Sequence, residues 1–115
     1  TLVDMAQKAR FYFQDPRPYE EKAAQKFLTA AGAPRLQEIA RRLEALPEVS
    51  EEALNRLFKE LVAETGQKMV DLAQPVRVAL TGRTESPGLF EIINILGKPE
   101  TLLRIERAIR FAQGQ

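Results

Sequence analysis

The spacing of apolar residues is the feature that most limits what this chain can fold into. Apolar side chains recur every three or four residues, and no stretch alternates strictly enough between apolar and polar residues to indicate a strand. This period is that of a helix with one buried face. We therefore predict an all-α fold, a compact bundle or cage of about six to seven helices in two small subdomains.

Proline and glycine divide the first half of the sequence into helical segments, because proline cannot donate a helical hydrogen bond and glycine commonly ends a helix. Gly32 is predicted to cap the second helix at its carboxyl end, and Ser50 has the residue type of an N-cap for the fourth. The predicted helices cover residues 2–13, residues 19–31, a segment from Pro34 that ends at Pro47, and a segment from Ser50 to Gly66.

The second half is predicted to contain shorter helices with more interruptions. Residues 67–81 keep helical spacing, but we expect Pro75 to break or kink them into two short helices at an angle. Residues 82–88 form a predicted loop, with Ser86 as the N-cap and Pro87 as the first residue of the next helix. That helix ends at Leu96 before a glycine cap, and a last helix runs from Pro99 to about residue 112.

The length of 115 residues allows one hydrophobic core, or two small subdomains that share one. The helical pattern is interrupted more often after Gly66. We therefore predict a helical-cage subdomain over residues 1–66 and a second subdomain over residues 67–115. The first part holds 10 basic and 11 acidic side chains and the second 7 and 5, which gives charges of −1 and +2. The total of +1 excludes a protein that binds nucleic acid by bulk positive charge, so any charge-driven function must lie in a local patch.

The composition excludes most catalytic chemistry. Histidine and cysteine are absent, which removes the commonest general base and metal ligand and the thiol nucleophile. The six glycines never approach the spacing of a nucleotide-binding loop. Adjacent carboxylates lie at helix starts, where the helix dipole favours them. We therefore predict no catalytic residue, no metal ligand and no cofactor in this chain.

The location of the protein is predicted from what its sequence lacks. No apolar run approaches the roughly 20 residues that span a bilayer, and the amino terminus has no basic segment followed by an apolar one. We expect a soluble, cytoplasmic monomer with no membrane partner. Because the sequence begins at Thr1 and runs at once into a helical pattern, we also expect an excised domain of a longer parent.

The stretch from Gln74 to Gly97 has an unusual arrangement of polar residues. Arg77 lies in an otherwise apolar helix, and a helix start with the sequence Ser86-Pro87-Gly88 follows. Free amides at a helix start attract phosphate or an acceptor on a base, arginine donates a fork of hydrogen bonds to either, and Pro87 with Leu89 offers apolar contact to an unstacked base. The structural alternative is an ordinary helix start and an arginine that reaches past the core to a carboxylate.

Three arginines recur every three residues in the last predicted helix. Arg104, Arg107 and Arg110 are spaced to form a basic stripe toward a phosphate backbone. We favour instead a solvated face on which they pair with Glu100 and Glu106.

Three runs in this part of the sequence carry a resemblance to a known family. Residues 74–82, the run from Ser86 to Glu91, and Leu96-Gly97-Lys98 resemble the signature near the carboxyl terminus of bacterial glutamyl-tRNA synthetases. Residues 102–109 are similar to the last helix of that family, and residues 5–13 more loosely to the start of its helical cage. The resemblance implies the helical anticodon-binding domain of a class I synthetase. It also implies a non-catalytic fragment, with ATP and Mg²⁺ used by the parent's catalytic domain.

The same resemblance implies which residues contact RNA. In the family, anticodon bases are contacted by an arginine and by the next helix start, and these roles fall here on Arg77, Ser86, Pro87 and Leu89. We expect supporting contacts from Arg83, Thr84 and Gly88. The implied partners are tRNA-Glu, through its anticodon loop, and the catalytic domain of the parent chain.

A helical protein–protein interaction module is the alternative function, with Phe11, Tyr12 or Tyr19 exposed to dock a partner. The salt dependence of binding distinguishes the two functions, because the affinity for RNA falls steeply as salt concentration rises and the affinity of apolar docking does not. A small stand-alone enzyme is the weakest hypothesis, since no acid–base pair is well placed.

Overall fold

The computed structural model describes residues 14–115, and the predicted helix over residues 2–13 lies outside this range. All regular structure in the described part is helical, which confirms the all-α prediction. It holds five α-helices rather than the six or seven predicted for the chain. The elements are α1 (Glu21–Phe27), a 3₁₀ turn (Ala30–Gly32), α2 (Ala33–Ala45), α3 (Glu51–Thr65), α4 (Met69–Thr81) and α5 (Leu89–Ala112).

The predicted ends of α3 are confirmed. The Ser50 side chain accepts a hydrogen bond of 3.1 Å from the amide of Ala53, as an N-cap does. At the other end Gly66 adopts the left-handed conformation, with φ 71° and ψ 4°. Between these caps Leu54 and Phe58 are fully buried. Local sequence alone sets both ends of this helix.

The prediction for Gly32 is wrong. Helix α1 ends at Phe27, and Gly32 has right-handed helical geometry at the N-cap of α2. The cause is Thr29, whose hydroxyl accepts a hydrogen bond of 3.1 Å from the amide of Gly32 and so begins a 3₁₀ turn. Ala31, within this turn, is exposed.

The predicted break at Pro75 is also wrong, because α4 runs uninterrupted from Met69 to Thr81. Proline removes the hydrogen bond to the carbonyl of Asp71, one turn earlier. Asp71 is exposed and lines the same surface groove as Pro75. The next residue after each, Leu72 and Val76, is fully buried, and we attribute the continuity of α4 to this packing.

Helix α5 is interrupted at Gly97, as predicted. Gly97 has φ 80° and ψ 167°, a combination that is essentially restricted to glycine. The turn after this break directs the ammonium group of Lys98 to the carboxyl end of α2. There it donates hydrogen bonds to the carbonyls of Glu44, at 3.1 Å, and of Leu46. Carbonyls at a helix end have no partner within the helix, so Lys98 supplies one.

All five helices contribute to one hydrophobic core. Ala23, Leu36, Phe58, Leu72 and Ile105 come from α1 to α5 in turn and belong to the same buried cluster. The core therefore joins residues before and after Gly66, and the division into two subdomains stays a prediction. No helix in the described range is long and apolar enough to cross a membrane.

Substitution of Gly97 tests the break in α5. A Cβ atom at Gly97 meets no other atom within 4 Å, so Gly97→Ala adds backbone strain alone. We expect it to lower the free energy of unfolding by about 1–3 kcal/mol in chemical denaturation. Gly88 is the matched control, since it also has open space but a φ of −52°. We expect Gly88→Ala to cause no loss of stability and a gain of up to about 1 kcal/mol, and equal losses in the two variants would contradict this explanation.

Candidate nucleic-acid interface

The predicted binding residues lie around the loop of residues 82–88 that joins α4 to α5, called here the 82–88 loop. Arg77 is near the end of α4, and its Nη1 atom donates a hydrogen bond of 3.2 Å to the side-chain oxygen of Gln74. The side-chain Nε2 atom of Gln74 donates in turn to the backbone carbonyl of Thr84, at 3.4 Å. Gln74 therefore connects Arg77 to the loop. Sequence reasoning placed Gln74 in the family signature but assigned it no role.

Most hydrogen-bond donors of the Arg77 guanidinium have no partner among residues 14–115. Its side chain is half-buried, and its Nε atom is buried with no hydrogen-bond partner in the described part of the chain. Among residues 14–115 no carboxylate pairs with it. The structural alternative, an arginine that reaches past the core to a carboxylate, is therefore not observed within this range. Guanidinium has five N–H donors in a fixed fork, and residues 14–115 use only one of those of Arg77.

The start of α5 differs from the prediction. Gly88 occupies the N-cap position and Leu89 is the first helical residue, so the assignments of Ser86 as the N-cap and Pro87 as the first residue are wrong. The Ser86 hydroxyl instead donates to the carbonyl of Pro87, at 2.9 Å. Its oxygen lies two residues too early in the chain to accept from the first turn.

The side chains at this helix start are unequally available to a ligand. Pro87 and Gly88 are exposed, and Ser86 is half-buried. Leu89 is only 5% exposed because its side chain belongs to the core, which leaves little of it to contact a base. The exposed apolar surface at this point is thus that of Pro87.

Thr81 fixes the beginning of the 82–88 loop. Its hydroxyl oxygen lies 2.8 Å from the carbonyl of Arg77, to which it donates, and it accepts from the amide of Arg83 at 3.2 Å. The loop therefore leaves α4 in a direction tied to the turn that carries Arg77. Beyond this point the Arg83 side chain is exposed and Thr84 is half-buried.

The segment of residues 14–20 forms a second wall beside the loop, which sequence reasoning missed. The two enclose a groove of about 720 Å³. In this groove Arg17 binds the Asp15 carboxylate through two hydrogen bonds, of 3.0 and 2.9 Å, and they hold the pKa of Asp15 well below its usual range. The groove is lined by residues 14–18, Glu20 and residues 80–85.

The contact between this segment and the loop is made by backbone atoms. The amide of Glu20 donates to the carbonyl of Gly82, at 2.8 Å. Gly82 has φ 77°, and a Cβ atom there would lie 2.2 Å from the carbonyl oxygen of Pro16. Only glycine permits both the left-handed conformation and this approach. The one sequence signal was a glycine at the end of a helix, which does not reveal what lies against it.

The three arginines of α5 do not form a basic stripe. Arg104 is buried, at 3% exposure, and its Nε atom donates to Glu100 at 3.0 Å. Arg110 is exposed and pairs with Glu106 at 2.6 Å. The ion pairs predicted for Arg104 and Arg110 are confirmed, whereas Arg107 is half-buried and pairs with neither glutamate. The predicted solvated face is wrong at Arg104.

The aromatic residues of the alternative function are in part outside the described range. Phe11 and Tyr12 belong to the residues that the structure does not describe. Tyr19 is half-buried, and its ring packs edge-on against Phe111 with centroids 5.0 Å apart. Tyr19 is therefore engaged within the chain and is not a free docking residue.

The sequence matches the anticodon binding domain family over residues 1–109, and the chain belongs to this family. It is 48% identical to a glutamate–tRNA ligase of Syntrophobacter fumaroxidans over 115 residues, which are all of this chain and 25% of the relative. It is 46% identical to a glutamate–tRNA ligase of Thermus thermophilus over 109 residues, 95% of this chain and 23% of the relative. The chain thus spans about a quarter of the length of these relatives.

The fold is also similar to a solved structure. A crystal structure of a glutamate tRNA ligase from Elizabethkingia meningosepticum, in complex with its amino acid, superimposes with a TM-score of 0.83 at 27% identity. The match covers 93% of this chain and 21% of that one.

Substitution of Gly82 tests the backbone contact beside the loop. Gly66 is the matched control, because it caps α3 with nearly the same dihedral angles and a Cβ atom there would meet no other atom within 4 Å. We expect both alanine variants to lose the free energy of left-handed strain, about 1–2 kcal/mol. Gly82→Ala should lose about 1–3 kcal/mol more in urea denaturation, because the Pro16 backbone must move. Equal losses would show that the contact has no energetic weight.

Proposed function

We propose that this chain is the anticodon-binding part of a glutamate–tRNA ligase and that it binds the anticodon loop of tRNA-Glu. The family assignment and the ligases that match its whole length support the proposal. The observation that carries it is Arg77, a half-buried arginine beside an exposed loop whose donors are not used up by any carboxylate of the described residues.

The chemistry of an anticodon suits this site. Anticodon bases are unstacked in a loop, so their hydrogen-bonding edges are open, and RNA-binding proteins read such bases by edge hydrogen bonds and stacking. Arg77 donates to a base edge, and Gln74 holds its guanidinium toward the loop. Pro87 supplies an apolar surface for a base, and Gly88 allows close approach to the backbone. Arg83, Thr84 and the Ser86 hydroxyl make supporting contacts.

Leu89 has a different role in this proposal from the one that the family resemblance implies. Its buried side chain anchors the first turn of α5 in the core, and this anchor keeps Pro87 at the surface. The contact to a base then comes from the residues just before Leu89, not from its side chain.

The remainder of the reaction belongs to the rest of the protein. The matching ligases are about four times as long as this chain, so we place activation of glutamate, with ATP and Mg²⁺, in the part outside these 115 residues. This chain contributes recognition and contacts the catalytic domain. We propose a cytoplasmic monomer, as is expected of a translation enzyme that binds one tRNA.

Arg77→Ala tests the proposed reading of a base. We expect it to reduce the preference for tRNA-Glu over the same tRNA with one changed anticodon base by about 1–3 kcal/mol. The measurement is the ratio of the two dissociation constants, by fluorescence anisotropy. Arg56→Ala is the control, because Arg56 is an exposed arginine of α3 outside the site. Unchanged preference in Arg77→Ala, with an unchanged circular dichroism spectrum, would refute the assignment.

Salt dependence separates RNA binding from apolar docking. If phosphates contribute, the logarithm of the binding constant should fall linearly with the logarithm of salt concentration, with a slope of about −0.7 for each phosphate contacted. We expect a shallow slope that corresponds to only a few phosphates, since the chain has a net charge of only +1. A slope of zero for tRNA-Glu would contradict phosphate contacts and favour the alternative.

A further inference from the structure

Arg104 is the only charged residue that is buried in the described part of the chain, and its contacts reach the reading site. Its Nη1 atom donates a hydrogen bond of 2.7 Å to the carbonyl of Leu80, 24 residues earlier in the sequence. Its Nε atom donates to Glu100, one turn before it on α5. One guanidinium therefore connects the middle of α5 to the last turn of α4.

The carbonyl of Leu80 is one of the last four of α4, which have no partner within the helix. The partial negative charge of a helix carboxyl end is also stabilised by a cation. Arg104 meets both needs from a different helix. Two further hydrogen bonds satisfy backbone groups at this end of α4. The amide of Gly82 donates to the carbonyl of Val78 at 2.7 Å, and the carbonyl of Gly82 accepts from the amide of Glu20 at 2.8 Å.

Burial of a charge is costly, and an apolar side chain of the same volume would often pack at least as well. What the arginine adds is direction. The bond to Glu100 holds the guanidinium on α5, and the bond to the Leu80 carbonyl then sets the position of the last turn of α4 against α5. That turn carries the backbone of Arg77 to Thr81 and determines where the 82–88 loop begins.

We propose that Arg104 is a positioning residue, which holds the carboxyl end of α4 and the 82–88 loop in the arrangement that discriminates anticodon bases. The inference rests on the proposed function, because it assigns Arg104 to the same site. Arg104 does not contact RNA. It acts through the backbone of Leu80 on Arg77 and on the loop.

The test uses the complete protein that carries this chain, with Arg104→Met and Arg104→Lys. Arg110→Met is the matched control, because Arg110 also pairs with the glutamate one turn before it but is 59% exposed and has no contact with α4 among the described residues. The first measurement is hydrogen exchange of the amides of residues 83–85 in the free protein. The second is the ratio of dissociation constants for tRNA-Glu and for the same tRNA with one changed anticodon base.

We expect Arg104→Met to speed loop exchange about tenfold and to lower the discrimination ratio roughly fivefold or more, the low end of one base contact. Arg104→Lys keeps one of the two hydrogen bonds, so loop exchange and the discrimination ratio should lie between those of the wild type and of Arg104→Met. Arg110→Met should change neither the exchange rate nor the ratio. A loss of stability alone would weaken binding of both RNAs equally and leave the ratio unchanged. Unchanged loop exchange or an unchanged ratio in a folded Arg104→Met protein would overturn the proposal. If that variant does not fold, an unchanged ratio in Arg104→Lys overturns it.

Arg77→Ala, measured in parallel, separates this proposal from the proposed function. If Arg77→Ala leaves the ratio unchanged, the reading role of Arg77 fails, whatever Arg104 does. If Arg77→Ala lowers the ratio and Arg104→Met does not, only the positioning role fails. Combining the two substitutions should lower the ratio little further than Arg77→Ala alone, because both act on the same contact. Additive losses would show that Arg104 does not act through Arg77.

Discussion

The described structure depends on one constraint, which is that the carbonyl groups at the carboxyl ends of α2 and α4 need hydrogen-bond partners. A helix leaves its last four carbonyls without partners, and burying them unpaired is costly. Helix α5 supplies a cation to each end, Lys98 to α2 and Arg104 to α4. The part of α5 after Gly97 is therefore more than a wall of the core, because it supplies hydrogen-bond partners to the ends of two other helices.

This arrangement explains why the site can be built from few charges. Arg77 lies near the end of α4 and the 82–88 loop follows that end, so in the proposal made above the same bonds that satisfy the α4 carbonyls also orient the residues that read bases. A net charge of +1 suits such a site, because a small number of oriented donors distinguishes bases better than a diffuse positive surface. Electrostatic attraction from the domain as a whole is then small.

The parts of the fold that sequence predicts correctly are those set by local interactions. The apolar stripes, the Ser50 cap and the break at Gly97 depend on residues a few positions apart. Where a competing interaction intervenes, the prediction fails. A threonine hydroxyl begins a turn before Gly32, and packing of Leu72 and Val76 carries α4 through its proline. The site shows the same limit. The sequence predicts Arg77 and the loop. It does not predict the wall of residues 14–20 or the bond from Arg104 to Leu80, because these contacts join residues far apart in the chain.

The backbone contact between Pro16 and Gly82 has a consequence for how the site can be altered. Its geometry does not depend on side-chain identity at either position, apart from the glycine itself. Under the proposed function, side-chain substitutions in the 82–88 loop can therefore change which base is bound while this backbone contact stays the same. A transplanted loop of different length would lose this backbone contact. Under the proposed function, a change of base preference therefore requires either substitutions that keep the loop length or transfer of the loop together with residues 14–20.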